Sequence, residues 1–409
     1  MKRKITIEIE NGADVEEIYD KVQKALGFVF ARNLDALHDV LSEYGDGVTI
    51  IIKNGGNVPD DVKRVFSDLH RELSDFSVVY DDSEKKHTMK SIPEIVDLAS
   101  AYYGSAVLFA AIDCDVFGQI ARGEFDASPR GMRLLADACV AIGLLEKHGD
   151  TYANTPASAM ALVPGGPADL TKAIRYNRDV YPAWGRLAEF AKTGKPVEKP
   201  EIHLGEDAAR TKAFAAAMFG RAMGIGKGVV PMLPPLSGKV LDLAGGPAAY
   251  AILLCQVNPG LSCVTVDLSA IADEAKGYVA RFGLADRIEC RSGDYHADEY
   301  EPQAYDAVTI FGALHQESPE QIVDILRRAH RALKPGGRLF VLDMMTDETH
   351  TAPAFSALFA VNMALTTENG WVFSDAELKG WMRAAGFAPG ETRPVPPPMP
   401  HWLVTAAKA

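Results

Sequence analysis

The stretch Val240-Leu-Asp-Leu-Ala-Gly-Gly-Pro-Ala-Ala249 decides how this chain is read. Its first half, with Gly238 and Lys239 before it, is a short apolar run of the kind that forms a buried parallel strand. It breaks at Gly245 and Gly246 and gives way to a helical pattern from Ala248 to Gln256. Strand, tight glycine turn and helix in that order bring backbone close to a ligand and offer free N–H groups at the helix start. Asp267 closes the next apolar run, Leu261 to Val266, where a carboxylate can accept both hydroxyls of an adenosine ribose. The outline is a Rossmann-like crevice, which a nicotinamide cofactor would share. Ala244 and Ala248 flank the glycines and are expected to stay at negative φ, because a Cβ disfavours the left-handed region.

Further elements narrow the reading. Asp294, in Arg291-Ser-Gly-Asp-Tyr295, follows the strand-like run Arg287 to Cys290, where a carboxylate can take a hydrogen bond from an adenine amino group. Leu333-Lys-Pro-Gly-Gly-Arg-Leu-Phe-Val-Leu-Asp343 is a helix end, a turn and a buried strand in succession. Together these segments resemble the class I S-adenosylmethionine-dependent methyltransferases. His315 with Ala329 to Gly337, Trp184 to Gly194, Phe214 four residues before Met218, and the late segment from Asn362 and Met363 through Ser374 to Phe387 look like the small-molecule O-methyltransferases of the caffeate and hydroxyindole type.

That resemblance implies an α/β chain: a Rossmann-like methyltransferase domain over residues 200–409, preceded by a helical, winged-helix-like dimerisation domain over 95–199. It implies S-adenosyl-L-methionine as cofactor and S-adenosyl-L-homocysteine as product, held by Asp242, Gly245, Gly246, Asp267, Leu268, Gly293, Asp294, Tyr295 and Phe311. A phenol has a pKa of about 10, so a base must help it react near neutral pH. His315 is expected to be that base, supported by Asp343, with no metal required. The family's second acid beside the histidine falls near Val372, which carries no charge. Phe214, Met218, Met344, Phe359 and Met363 are expected around a small aromatic, hydroxyl-bearing acceptor, since thioethers and rings suit a flat guest. Homodimerisation is implied as well. Methylation of a ring carbon, or cofactor binding without methylation, stays open. His401 is read as the start of the last strand, outside catalysis.

Composition excludes other classes. There are 55 acidic residues against 42 Lys plus Arg, and no basic tract, so phosphate contacts of the kind nucleic-acid binding needs are not supplied. No long apolar span and no signal-peptide pattern are read, which points to a cytoplasmic protein without a membrane partner. Cys114, Cys139, Cys255, Cys263 and Cys290 lie scattered in apolar segments and are expected as reduced thiols.

Residues 1–82 read as a separate small α/β module, joined by a polar linker over 83–94. The run from Gly27 to Val40, with Asn33-Leu-Asp-Ala-Leu37 at its centre, resembles the barstar-type ribonuclease inhibitors. In that family acidic helix residues meet a basic partner, and Asp35 and Asp39 occupy the matching positions, on one helix face at i and i+4. A protein partner for this module, or a whole chain acting chiefly as an interaction protein, is the remaining alternative. A solvated acidic face on a scaffold is the plainer expectation for the two aspartates.

Overall fold

The computed structural model describes residues 5–408 apart from 10–12, 27–30, 45–47, 54–60, 63, 67–68, 70–76, 82–89, 167, 200–204 and 397–400. The chain divides into two compact units, residues 1–89 with 351–354, and residues 90–350 with 355–409. The middle and C-terminal regions therefore pack as one body across the sequence boundary expected at 199/200.

In the N-terminal unit β1 (Ile5–Ile9), β2 (Val48–Lys53) and β3 (Ser77–Asp81) form a parallel sheet in that order. Helix Val15–Leu26 buries Ile18, Tyr19 and Val22, a spacing that makes one apolar stripe, with Glu16 and Glu17 in its first turn and Lys24 in its last. Helix Leu34–Tyr44 contributes Leu37 and Leu41 to the same core. These elements match the expected order. Most of the linker lies outside the described residues.

The larger unit opens with helices Ile92–Ser100, Tyr102–Asp113, Val116–Arg122 and Arg130–Ala141, followed by a hairpin of β4 (Leu145–His148) and β5 (Thr151–Asn154), the expected wing. Residues Ile92–Asp113 make a 22-residue helical span of mean hydropathy 1.6, long and apolar enough to cross a membrane by length and composition. This corrects the expectation that no such span exists: Ile, Val, Leu, Phe and Ala side chains spread apolar character around the whole helix. Only 11% of that span is buried. Tyr102 and Tyr103 are exposed, while Phe117 is in the core. Cys114 is exposed too, yet all five cysteines are free.

Helices Thr171–Trp184 and Ala208–Val229 then lead to a seven-stranded sheet. Its strands are β6 (Gly238–Leu243), β7 (Leu261–Asp267), β8 (Ile288–Ser292), β9 (Tyr305–Phe311), β10 (Leu333–Met344), β11 (Phe387–Pro394) and β12 (His401–Lys408), in spatial order β11-β12-β10-β9-β6-β7-β8. β6 to β10 run parallel and β12 is antiparallel to both its neighbours. After β6 the chain builds outward through β7 and β8, then returns to place β9 on the other side. That reversal opens a crevice at the carboxyl ends of β6 and β9, where open α/β sheets bind ligands. The parallel strands are apolar on both faces because helices cover both. Helix Pro319–Ala332 begins with a capping box from Ser318 and Gln321, with Pro319 at its first position.

Candidate active site

The turn after β6 is anchored to β7. Gly245 N–H donates to Val266 O at 3.2 Å, and Gly246 N–H donates to Asp267 Oδ2 at 2.7 Å. Gly245 has no substitute here, since a Cβ would collide with Thr265 Oγ1 and Asp242 Oδ2. Ala244 and Ala248 adopt φ of 52° and 64°, which corrects the expectation of negative φ at both. The hydrogen bonds to β7 impose the turn on residues that would prefer another conformation, at a cost of about 1–2 kcal/mol each.

Asp242 is buried; its Oδ1 accepts from the Thr309 hydroxyl at 2.6 Å, while Oδ2 has no partner among the described residues. Burial pushes its pKa up to about 7, and the nearby Asp267 charge adds to this. Asp267 accepts from the N–H groups of Gly246 and of Leu268 at 2.8 Å, yet burial raises its pKa to about 6.

Next to it, Gly293 N–H donates to Asp267 O at 2.9 Å, shaping the loop that carries Asp294. The Asp294 carboxylate is engaged by His296, whose backbone N–H and Nδ1 both lie 2.9 Å from Oδ1. His296 Nε2 lies 2.7 Å from Glu317 Oε2, and Tyr295 donates its hydroxyl to Glu317 Oε1 at 2.6 Å. Burial lowers the His296 pKa, but the two carboxylates outweigh it and the net shift is upward. Glu317, buried two residues after His315, thus ties this loop down through two side chains, a contact that no local sequence signal reveals.

His315 follows the end of β9 and is 8% exposed. Its Nδ1 lies 2.6 Å from Asp343 Oδ1, and its backbone N–H donates to Asp343 Oδ2 at 3.2 Å. Met344 N–H also donates to Asp343 Oδ1, at 2.8 Å, so the carboxylate is fixed from two sides. Phe359 packs edge-on to the imidazole at 5.1 Å between ring centroids, and Trp371 N–H donates to His315 O. Val372 is buried and apolar, so no second acid comes from that position.

These residues surround a cavity of about 260 Å³. Of the expected positions, Asp242, Gly245, Gly246, Asp267, Leu268, Tyr295, Phe311, His315, Phe214, Met218, Met344, Phe359 and Met363 all line it. Gly293 and Asp294 do not, and Asp343 stands behind His315. Asp35 and Asp39 belong to the other unit and are exposed on helix Leu34–Tyr44. The wall also holds Tyr176, Arg221, Tyr250 and His401, which sequence reasoning missed. His401 was read as a strand opener, but pairing of β12 with β10 sets it opposite Met344 and turns it into the wall.

Comparison with known proteins agrees with this geometry. Residues 203–388 match the O-methyltransferase domain family, residues 96–164 the O-methyltransferase dimerisation domain, and residues 2–91 the barstar (barnase inhibitor) family. The 3-hydroxy-5-methyl-1-naphthoate 3-O-methyltransferase of Streptomyces sahachiroi is 31% identical over 330 residues, covering 77% of this chain and 95% of its own. The tetracenomycin polyketide synthesis 8-O-methyltransferase of Streptomyces glaucescens is 31% identical over 320 residues, covering 75% and 94%. Human N-acetylserotonin methyltransferase, solved in complex with S-adenosylmethionine, shares the fold with a TM-score of 0.69 at 24% identity, over 79% of this chain and 99% of that one. With the crevice, the acidic nucleotide wall and the histidine–aspartate pair in place, the chain belongs to the S-adenosylmethionine-dependent O-methyltransferases.

Proposed function

We propose that this enzyme moves a methyl group to a hydroxyl of a small aromatic acceptor, with His315 as general base. The observation that carries the reading is the 2.6 Å contact of His315 Nδ1 with Asp343 at the wall of a cavity lined by Phe and Met. Asp242 Oδ2, buried without a hydrogen-bond partner among the described residues, and the side-chain-free approach at Gly245 fit S-adenosylmethionine. Asp267 would accept the ribose hydroxyls, the Gly245–Gly246 turn and Asp242 would meet the methionine portion, and Leu268, Tyr295 and Phe311 would flank the nucleoside. When bound, the cofactor supplies a methyl on a positively charged sulfur.

The protein's own task is the proton. With its Nδ1–H held by Asp343, the neutral imidazole keeps its lone pair on Nε2, from which it takes the acceptor's hydroxyl proton. The apolar walls orient the ring and exclude water. Acceptors of the relatives, a hydroxynaphthoate and a tetracenomycin ring system, are of this class. Cofactor binding alone and a mainly interactive role leave the His315–Asp343 pair without a purpose, and the two relatives named above methylate oxygen. The folded protein is expected to bind S-adenosylmethionine and S-adenosylhomocysteine in calorimetric titration and to methylate phenolic acceptors. No binding by folded protein would remove the reading.

The exposed apolar side chains of Ile92, Ile95, Val96, Leu98, Tyr102 and Tyr103, in and beside the segment that matches the dimerisation family, support a homodimer. Sedimentation should give a dimer for wild type and a monomer for Ile95→Glu with Leu98→Glu; unchanged mass in the double variant would exclude this surface.

A further inference from the structure

Two polar groups in the cavity wall are left unused by the base, its carboxylate and the nucleotide loops. Arg221, on helix Ala208–Val229, lines the cavity with no carboxylate in ion-pair contact among the described residues; its guanidinium lies over the Tyr176 ring, 5.6 Å from the centroid. A permanent charge at the wall of a largely apolar cavity is unfavourable until a counter-ion arrives. His401, from β12, is 6% exposed, lines the same cavity, and its Nδ1 has no hydrogen-bond partner among the described residues.

The state of His401 follows from its surroundings. Burial drives its pKa down to about 4; Asp343 pulls the other way, while the positive charge of Arg221 and the proximity of His315 add to the fall, so the ring is neutral at pH 7. A neutral imidazole carries one proton. Orphaned buried N–H groups are rarer than under-satisfied acceptors, which favours the tautomer with a bare Nδ1 and the proton on Nε2, a donor able to meet a ligand. This part of the wall thus offers a guanidinium and an imidazole N–H, donors carrying one positive charge, apart from the carboxylates of Asp242 and Asp267.

We propose that Arg221 and His401 form a carboxylate-binding subsite of the active cavity. The proposal rests on the methyl-transfer reading above. Two sources can supply the carboxylate: the amino-acid tail of the cofactor, or a carboxylate on the aromatic acceptor. Donors of this kind bind either by charge-assisted hydrogen bonds, for which guanidinium is especially suited.

The test is calorimetry on the full chain, comparing wild type with Arg221→Gln and His401→Phe. The nucleoside ligands are S-adenosylhomocysteine and 5′-methylthioadenosine, which lacks the amino-acid carboxylate; the acceptor probes, added with S-adenosylhomocysteine, are 3-hydroxy-2-naphthoate and 2-naphthol. If the cofactor tail is the occupant, Arg221→Gln weakens S-adenosylhomocysteine roughly ten- to hundredfold while 5′-methylthioadenosine binds as before. His401→Phe gives a smaller loss in the same direction, since its hydrogen bond carries no charge of its own. If the acceptor is the occupant, S-adenosylhomocysteine is unaffected, and wild type prefers the naphthoate to the naphthol by a margin that Arg221→Gln erases. The carboxylate-free ligands report in each arm that the variants are folded. Unchanged S-adenosylhomocysteine affinity together with no naphthoate preference to lose overturns the proposal. Failure of wild type to bind either nucleoside would instead remove the methyl-transfer reading, and the subsite with it.

Discussion

His315→Ala is expected to lower kcat by roughly 10²- to 10⁴-fold, the usual contribution of a positioned general base, while S-adenosylhomocysteine affinity stays within about twofold. The reasoning is local. His315 Nδ1 is committed to Asp343, which is itself fixed by the His315 and Met344 N–H groups, so only Nε2 can serve an acceptor. Removing the ring leaves the nucleotide wall on β6 and β7 untouched. The base matters only while the acceptor still holds its proton, so a phenol already ionised at the assay pH should lose far less in the variant. Initial rates for a protonated and an ionised acceptor, measured side by side, check both points. Equal losses for the two would show that the ring packs the cavity and does not move the proton.

Asp267→Ala is expected to raise the Kd of S-adenosylhomocysteine by roughly ten- to hundredfold, because a charged acceptor for two hydroxyls is removed from a partly dry wall. The same carboxylate makes binding pH-dependent. In the empty protein Asp267 titrates near 6 and Asp242 near 7, both above their ordinary 3.8. The ligand favours the ionised forms, because Asp267 then accepts the ribose hydroxyls and Asp242 faces the ammonium-bearing amino-acid portion. Affinity should therefore rise with pH between about 5 and 8, and binding near pH 6 should release protons, visible as a buffer-dependent heat. Stability runs the other way. Carboxylates with raised folded pKa values stabilise the empty fold below pH 4 and withdraw that contribution as pH climbs through 6 and 7. Asp267→Asn should flatten the lower part of the affinity profile; a profile identical to wild type would exclude Asp267 as its source.

Much of this site was legible because its parts are short and local. Strand, glycine turn and following helix sit within twenty residues, and Asp267, His315 and Asp343 each fall at or just beyond the carboxyl end of a strand, where the sheet reversal gathers them. The paired elements of the N-terminal unit were readable for the same reason, since alternation and amphipathic stripes are local signals. What was not legible depends on distant segments meeting. Arg221 and His401 are 180 residues apart and share a wall only because one long helix crosses the crevice while β12 turns back along β10. The positive φ values at Ala244 and Ala248 are likewise imposed by hydrogen bonding to β7, against the preference of alanine itself. Exposure of Tyr102 and Tyr103 could not be read either, because an all-round apolar helix looks the same in a core and on an uncovered surface.

The strand order also governs how this protein is made. β12 lies between β10 and β11, although β11 precedes it in the chain. During synthesis β11 therefore emerges with nowhere to pair, and β10 keeps a bare edge along Leu339 to Leu342 until the ribosome has passed residue 408. Such an edge invites pairing with other nascent chains. Ribosome stalling in the stretch around residues 387–400 would leave a polypeptide with an open sheet and no His401 in its wall, a species prone to aggregate and unable to complete its own cavity.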